Sequence, residues 1–221
     1  MIKRYRKDYP GEFVVTNTIF KKGKKEYERE WIDNPIEFSH VSSKATCIAE
    51  SEYISDALYN RIEKNNGGVL GKEKMQTYGV EYVWRKMIPT FTVCQVPADL
   101  EEMIKCRYTA KSIVYTKASQ CIKYPGEFYL FPYSQSSTSQ ALALWLACFD
   151  GHTDVYFIGY DLTKADGELN QKMILSVANV IKTFPDVNFH QVSDFVSPDE
   201  WRNLINFTRA SLPVYVSQCD V

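Results

Sequence analysis

The chain has 221 residues, 45% hydrophobic and 24% charged, with 26 Lys plus Arg against 27 Asp plus Glu. That length carries a full core, and the composition is that of a globular domain rather than a disordered, collagenous or coiled-coil chain. A net charge of −1 leaves no global field drawing the protein to nucleic acid or an anionic membrane, and no apolar run approaches a membrane span.

The opening, MIKRYRKDYPGEF, is charged, breaks at Pro10-Gly11 and lacks the apolar region of a secretory leader, so secretion is not expected. Residues 1–30 hold nine basic side chains against five acidic ones. Tyr5, Tyr9, Phe13, Phe20 and Tyr27 interleave with them, as on a single-strand-binding surface. Glu26, Glu28 and Glu30 dilute the patch, so nucleic acid ranks below other partners and a solvated hairpin rim is the plainer reading.

Residues 12–20, EFVVTNTIF, read as a strand followed by a turn at Lys22-Gly23-Lys24. Residues 44–50, KATCIAE, form a second strand. Residues 51–64 have helical spacing, with Tyr53, Ile54, Leu58 and Ile62 on one side. Asn65-Asn66-Gly67-Gly68 ends that helix. Gly67-Gly68-Val69-Leu70-Gly71-Lys72 invites comparison with a phosphate loop, but Glu73 stands where Ser or Thr is needed and a helix precedes it.

Further strands are expected at 89–96 and 112–116, separated by a helix over 99–107, with a short extended piece at 127–131. Ser134, Ser136, Ser137, Thr138 and Ser139 then crowd a helix start, where free N–H groups need acceptors. Residues 141–149 form an almost wholly apolar helix stopped by Gly151, and 155–158, VYFI, a buried strand ending on Gly159-Tyr160-Asp161. A helix over 170–184, a strand over 187–192, a helix start at Ser197-Pro198-Asp199-Glu200 and a last strand at 214–217 complete the chain. The alternation predicts a single α/β domain over 1–221: a Rossmann-like three-layer sandwich with a mostly parallel central sheet.

Six cysteines are scattered without a CxxC pair, and Cys47, Cys94 and Cys148 lie in apolar segments, as small buried hydrophobes in a reducing compartment do. With three histidines and no zinc-ligand spacing, no metal site is expected. His40, His152 and His190 lack nucleophile-base signatures. His152 should face solvent at its turn, and His190 should sit satisfied in a strand; either has the chemistry of a general base. No catalytic residue is assigned.

Two places remain for ligand chemistry. The hydroxyls and N–H groups at Thr138 and Ser139 suit a phosphate or carboxylate, unless they only cap the helix. Asp161 lies where open α/β sheets bind ligands, beyond a strand's carboxyl end, unless it caps the next element.

These residues carry a resemblance to the bacterial sialyltransferases of glycosyltransferase family 42 and their Rossmann-like relatives. In that family Thr-Ser-Gly opens a small-residue apolar helix, followed by a glycine turn and a strand ending Gly-x-Asp. Thr138-Ser139, Gly151 and Gly159-Tyr160-Asp161 fall at the same spacings. Residues 13–20 are similar to the strand whose asparagine contacts the nucleotide, and 44–49 to the strand after it. The likeness is strongest over 137–161. The chain also resembles proteins of T4-like marine cyanophages in its opening and glycine-rich loop.

The resemblance implies a nucleotide or sugar nucleotide held by Asn17, Thr138, Ser139 and Asp161, with no further cofactor. Three departures bear on activity. Gln140 replaces the triplet's glycine, the Gly-x-Gly-Pro-Ser nucleotide loop is missing, and the lid after Gly-x-Asp shrinks to 163–169 without its histidine. A transferase without these has neither leaving-group stabilisation nor proton transfer. The expectation is a phage-associated protein that keeps the fold and has lost catalysis, in the host cytoplasm or virion, with a virion or host protein as partner. The alternative is a divergent glycosyltransferase or sugar-nucleotide-binding enzyme.

Overall fold

A computed structural model describes residues 13–32, 42–68, 74–132, 137–163 and 167–219. The rest of the glycine-rich loop (Val69 to Glu73), Ser134 and Ser136 of the serine run, and the basic opening lie outside these residues. The fold is α/β, with an all-parallel run of eight strands in a sheet flanked on both faces by helices, the Rossmann-like sandwich expected.

The chain starts with an antiparallel hairpin, β1 (Phe13–Lys21) and β2 (Lys24–Ile32), turning on Lys22 and Gly23, both with positive φ. That geometry suits the right-handed twist of a two-residue hairpin. Then follow β3 (Lys44–Ile48), α1 (Asp56–Lys64), β4 (Gln76–Val80), a 3-10 turn at Glu81–Arg85, β5 (Phe91–Val93), α2 (Pro97–Lys105), β6 (Ile113–Thr116), α3 (Ala118–Lys123) and β7 (Tyr129–Leu130). The second half is α4 (Ser139–Asp150), β8 (Asp154–Ile158), α5 (Gln171–Thr183), β9 (Asn188–Val192), α6 (Asp199–Arg202), β10 (Phe207–Ala210) and α7 (Leu212–Cys219).

The strand order is β10-β9-β8-β3-β4-β5-β6-β7-β1-β2. From β3 the chain walks outward through β4 to β7, then returns at β8 to the other side of β3 and walks away through β9 and β10. The two directions part between β3 and β8. Their carboxyl ends are the switch point where such sheets open a crevice.

Alternation in β8 sorts the two cores. Val155 and Phe157 face α4 and α5, while Tyr156 and Ile158 face α1 and α7. Apolar on nearly every side, α4 fills the first layer: Leu142, Leu144, Leu146 and Phe149 are all buried. Thr138 caps its start by accepting from Ala141 N, and Gly151, at φ +94°, ends it. Trp201 of α6 is fully buried in that layer, its Nε1 donating to the carbonyl of Ile174 at 2.8 Å.

Three local expectations are corrected. Residues 214–217 belong to helix α7 instead of a last strand; that role falls to β10. Pro213 is tolerated in a helix's first turn, and helical spacing sends Tyr215 into the sheet, where its hydroxyl meets Thr46 Oγ1 at 3.2 Å. The first helix begins at Asp56 because Ser55 caps it, and 51–54 are drawn into a turn closed by Ile54 N on the Ser51 carbonyl. His152 is fully buried: Nδ1 lies 3.0 Å from the Ser42 carbonyl and Nε2 3.0 Å from Tyr78 Oη, which donates to Asp150 Oδ2 at 2.8 Å. A turn position says nothing about the polar partners the fold brings beneath it. His190, on β9, stacks on Tyr156 and contacts Thr208 Oγ1 at 2.7 Å.

Candidate functional site

β8 ends at Ile158, and Gly159 turns the chain with φ +77°. Only glycine fits there. A Cβ would stand 2.1 Å from the Ala49 carbonyl oxygen, because the ends of β3 and β8 are drawn together by Ala49 N donating to the Ile158 carbonyl. The turn sends Tyr160 inward, its hydroxyl donating to the Gln140 carbonyl at 2.9 Å, and leaves Asp161 facing the switch point.

A crevice of about 560 Å³ opens there. Its floor is the ends of β8 and β9; Ile54, Leu58, Leu169 and Leu212 supply apolar walls. Asp161 Oδ1 accepts from Ser51 Oγ at 2.9 Å, and the same Oγ accepts from Tyr53 N at 3.2 Å, so the turn after β3 holds the carboxylate in place. Beyond β9, Ser193 Oγ accepts from Phe195 N at 3.0 Å, a serine turn that presents Asp194 and Phe195. At the mouth the Tyr53 and Phe195 rings meet edge to face, 4.9 Å between centroids, both largely exposed.

Burial pushes the Asp161 carboxyl above its usual range; the Ser51 hydroxyl opposes this and nearby Glu52 adds to it. Among the described lining residues the charged groups are Asp161 and Asp194, with no Lys, Arg or His. Oriented acceptors in an apolar crevice with aromatic rings at the rim suit a ring-bearing ligand rich in hydroxyl donors; they do not suit a phosphate. No three His, Cys, Asp or Glu among the described residues gather as a metal site, and no described helix is long and apolar enough to cross a membrane.

The other expected residues fall elsewhere. Thr138 and Ser139 share the carboxyl rim with Asp161, as the bond from Tyr160 to Gln140 requires, but neither lines the crevice. Ser139 is 2% exposed and serves the opposite side of β3. Its Oγ donates to Glu81 Oε1 at 2.7 Å, just past β4, and accepts from Gln95 Nε2 at 3.1 Å, just past β5. The chain's own Glu81, on a left-handed backbone with φ +46°, thus brings a carboxylate to the start of α4 where an anion was expected. Thr138 is a cap.

Asn17 stands on the hairpin, separated from β8 by β7, β6, β5, β4 and β3, roughly 25–30 Å along the sheet at ordinary strand spacing. Its Nδ2 donates to Glu30 Oε2 at 2.7 Å. The crevice residues that sequence reasoning missed are Ser51, Tyr53, Asp194 and Phe195. Each follows an apolar strand at a polar break (Glu50-Ser51-Glu52 and Ser193-Asp194-Phe195), a signal that becomes legible once strand order is known.

No protein-family model, no curated protein and no solved structure matches this chain.

Proposed function

We propose that this chain is a Rossmann-like binding protein that holds a hydroxyl-rich, ring-bearing small molecule, a nucleoside or a free sugar, in the crevice at the carboxyl ends of β8 and β9, beside the turn that follows β3. The observation that carries this reading is the clamped carboxylate: Asp161, fixed by Ser51 inside a roughly 560 Å³ crevice at the switch point. A carboxylate so placed accepts two hydroxyls of a vicinal diol, and the Tyr53–Phe195 pair offers faces and edges to the ring. Glycosyl transfer is not part of the proposal. A divergent glycosyltransferase needs its donor's phosphates held, whereas the charged groups among the described lining residues are acids and Glu81 meets the start of α4.

Thermal unfolding with millimolar nucleosides, monosaccharides, nucleotides and sugar nucleotides, added separately, tests the reading. At a hundredfold excess over Kd a ligand of the folded state adds about 2.7 kcal/mol. That corresponds to a rise of about 5–10 °C for a domain of this size. The expected result is a rise with nucleosides or sugars that Asp161→Asn removes. A flat response to every class, or a stronger response to phosphorylated ligands that Asp161→Asn leaves intact, overturns the proposal.

A further inference from the structure

The β1–β2 hairpin separates charges that its sequence mixes. Antiparallel register places Phe20 opposite Lys25, Thr18 opposite Tyr27, Thr16 opposite Arg29 and Val14 opposite Trp31. Side chains directly opposite share a face, and successive residues alternate. One face of β2 therefore reads Lys25, Tyr27, Arg29, Trp31, cation and aromatic in turn, and the other carries Glu26, Glu28 and Glu30. The acidic face is tied to itself: Asn17 donates to Glu30, and Lys21 sits 3.9 Å from Glu26.

On the basic face Val14 and Trp31 pack into the core beside α3, while Phe20 and Tyr27 further out are 75% and 67% exposed. Lys25 Nζ lies 5.3 Å from the Tyr27 ring centroid, which confirms the shared face. At the tip the register pairs Lys21 with Lys24 on the acidic face, while Lys22 stands in the turn between the strands.

We propose that this face binds single-stranded nucleic acid, the bases stacking on Phe20 and Tyr27 and the phosphates meeting Lys25, Arg29 and, at the turn, Lys22. Two exposed rings with cations at alternate positions form the stacking platform and charged track that such binding uses. The acids that dilute the composition point the other way. A second copy pairing along the open β2 edge fits worse. A two-fold antiparallel pair keeps each residue's face, so odd positions oppose odd and even oppose even. Every such register overlapping five or more residues then sets one of Glu26, Glu28 and Glu30 against another glutamate, and like charges directly opposite destabilise a sheet.

The test is fluorescence anisotropy of a labelled oligothymidylate of roughly 12 nucleotides with the full chain at about 50 mM salt. Expected are measurable binding, a loss of about tenfold or more in the Phe20→Ala/Tyr27→Ala double variant, and a comparable loss in Lys25→Glu/Arg29→Glu. Glu26→Gln/Glu28→Gln, on the other face, should keep or improve affinity. Urea midpoints within error of the parent would show these exposed changes leave the fold intact. No binding at that salt, equal affinity in the aromatic variant, or equal loss from changing either face overturns the proposal. So does a hairpin-dependent dimer in sedimentation that excludes the oligonucleotide. The crevice plays no part, so Asp161→Asn should bind the oligonucleotide like the parent.

Discussion

Gly159→Ala probes the geometry that makes the crevice. At φ +77° an L side chain costs roughly 1–2 kcal/mol. The new Cβ would also lie 2.1 Å from the Ala49 carbonyl oxygen and 2.9 Å from Ile54 Cδ1. Reaching even 3.0 Å from that oxygen requires a shift of 0.9 Å (3.0 minus 2.1) at the end of β3. Such a shift strains the bond from Ala49 N to the Ile158 carbonyl, a contribution of about 1 kcal/mol, and overpacking adds about 1–3 kcal/mol. The expected loss is about 3–6 kcal/mol. Gly126 supplies the control: φ is +90°, but nothing lies within 4 Å of an added Cβ. Gly126→Ala should lose only the roughly 1–2 kcal/mol of the backbone conformation. Urea denaturation with a common slope measures both. A Gly159→Ala loss within about 0.5 kcal/mol of the Gly126→Ala loss would refute the close approach of the two strand ends and, with it, the architecture of the site.

Asp161→Asn carries a pH signature. Because burial raises the folded carboxyl's pKa, its contribution to stability is full below the ordinary aspartate range and lost as pH rises through the folded value. The asparagine variant should therefore gain stability relative to the parent between pH about 3 and 7, read by urea titration at both, while losing its ligand response; a relative loss would contradict the burial. Ser139→Ala should destabilise by about 1–2 kcal/mol through its Glu81 and Gln95 partners yet leave crevice affinity within error, and a clear fall in calorimetric affinity would put Ser139 back at the ligand. Tyr78→Phe removes the hydroxyl between Asp150 and His152 and should lower stability by about 1–3 kcal/mol in urea melts; a neutral result would mean that network contributes nothing net.

The parts of the fold legible in the sequence are those whose signals are local. The apolar run of α4, Gly151 as stop and Val155 to Ile158 as buried strand were readable within one window and lie where expected, and of the two roles weighed for Thr138 the cap is the one its contacts show. The helix expected over 170–184 is α5, with Asn170 as its cap. β4 and α7 resisted for a common reason. Gln76 to Val80 mixes glutamine, threonine and glycine in a strand that is fully buried, and Leu212 to Val216 puts β-branched residues in a helix, so tertiary packing outweighs propensity in both. The site divides similarly. Asp161 could be placed from its strand end, but its partner Ser51 is 110 residues away in the chain, and Glu81 reaches Ser139 across 58. Nothing short of strand order reveals such pairs. The hairpin adds a different lesson: a charge count over 1–30 averages two faces that the pleat holds apart.

The hydroxyl of Tyr160 reaches from the turn that presents Asp161 to the first turn of α4, whose Ser139 in turn grips the residues after β4 and β5. Above the β3–β8 ladder that joins the two halves of the sheet, this phenol adds a side-chain tie at the carboxyl rim. For the ligand proposed, the acid would already be aimed, and little of the binding energy would be diverted to ordering the host. Cutting that tie with Tyr160→Phe removes the bond to α4 and keeps the ring that lines the crevice, so affinity for the proposed ligand would fall mainly through a less rigid host.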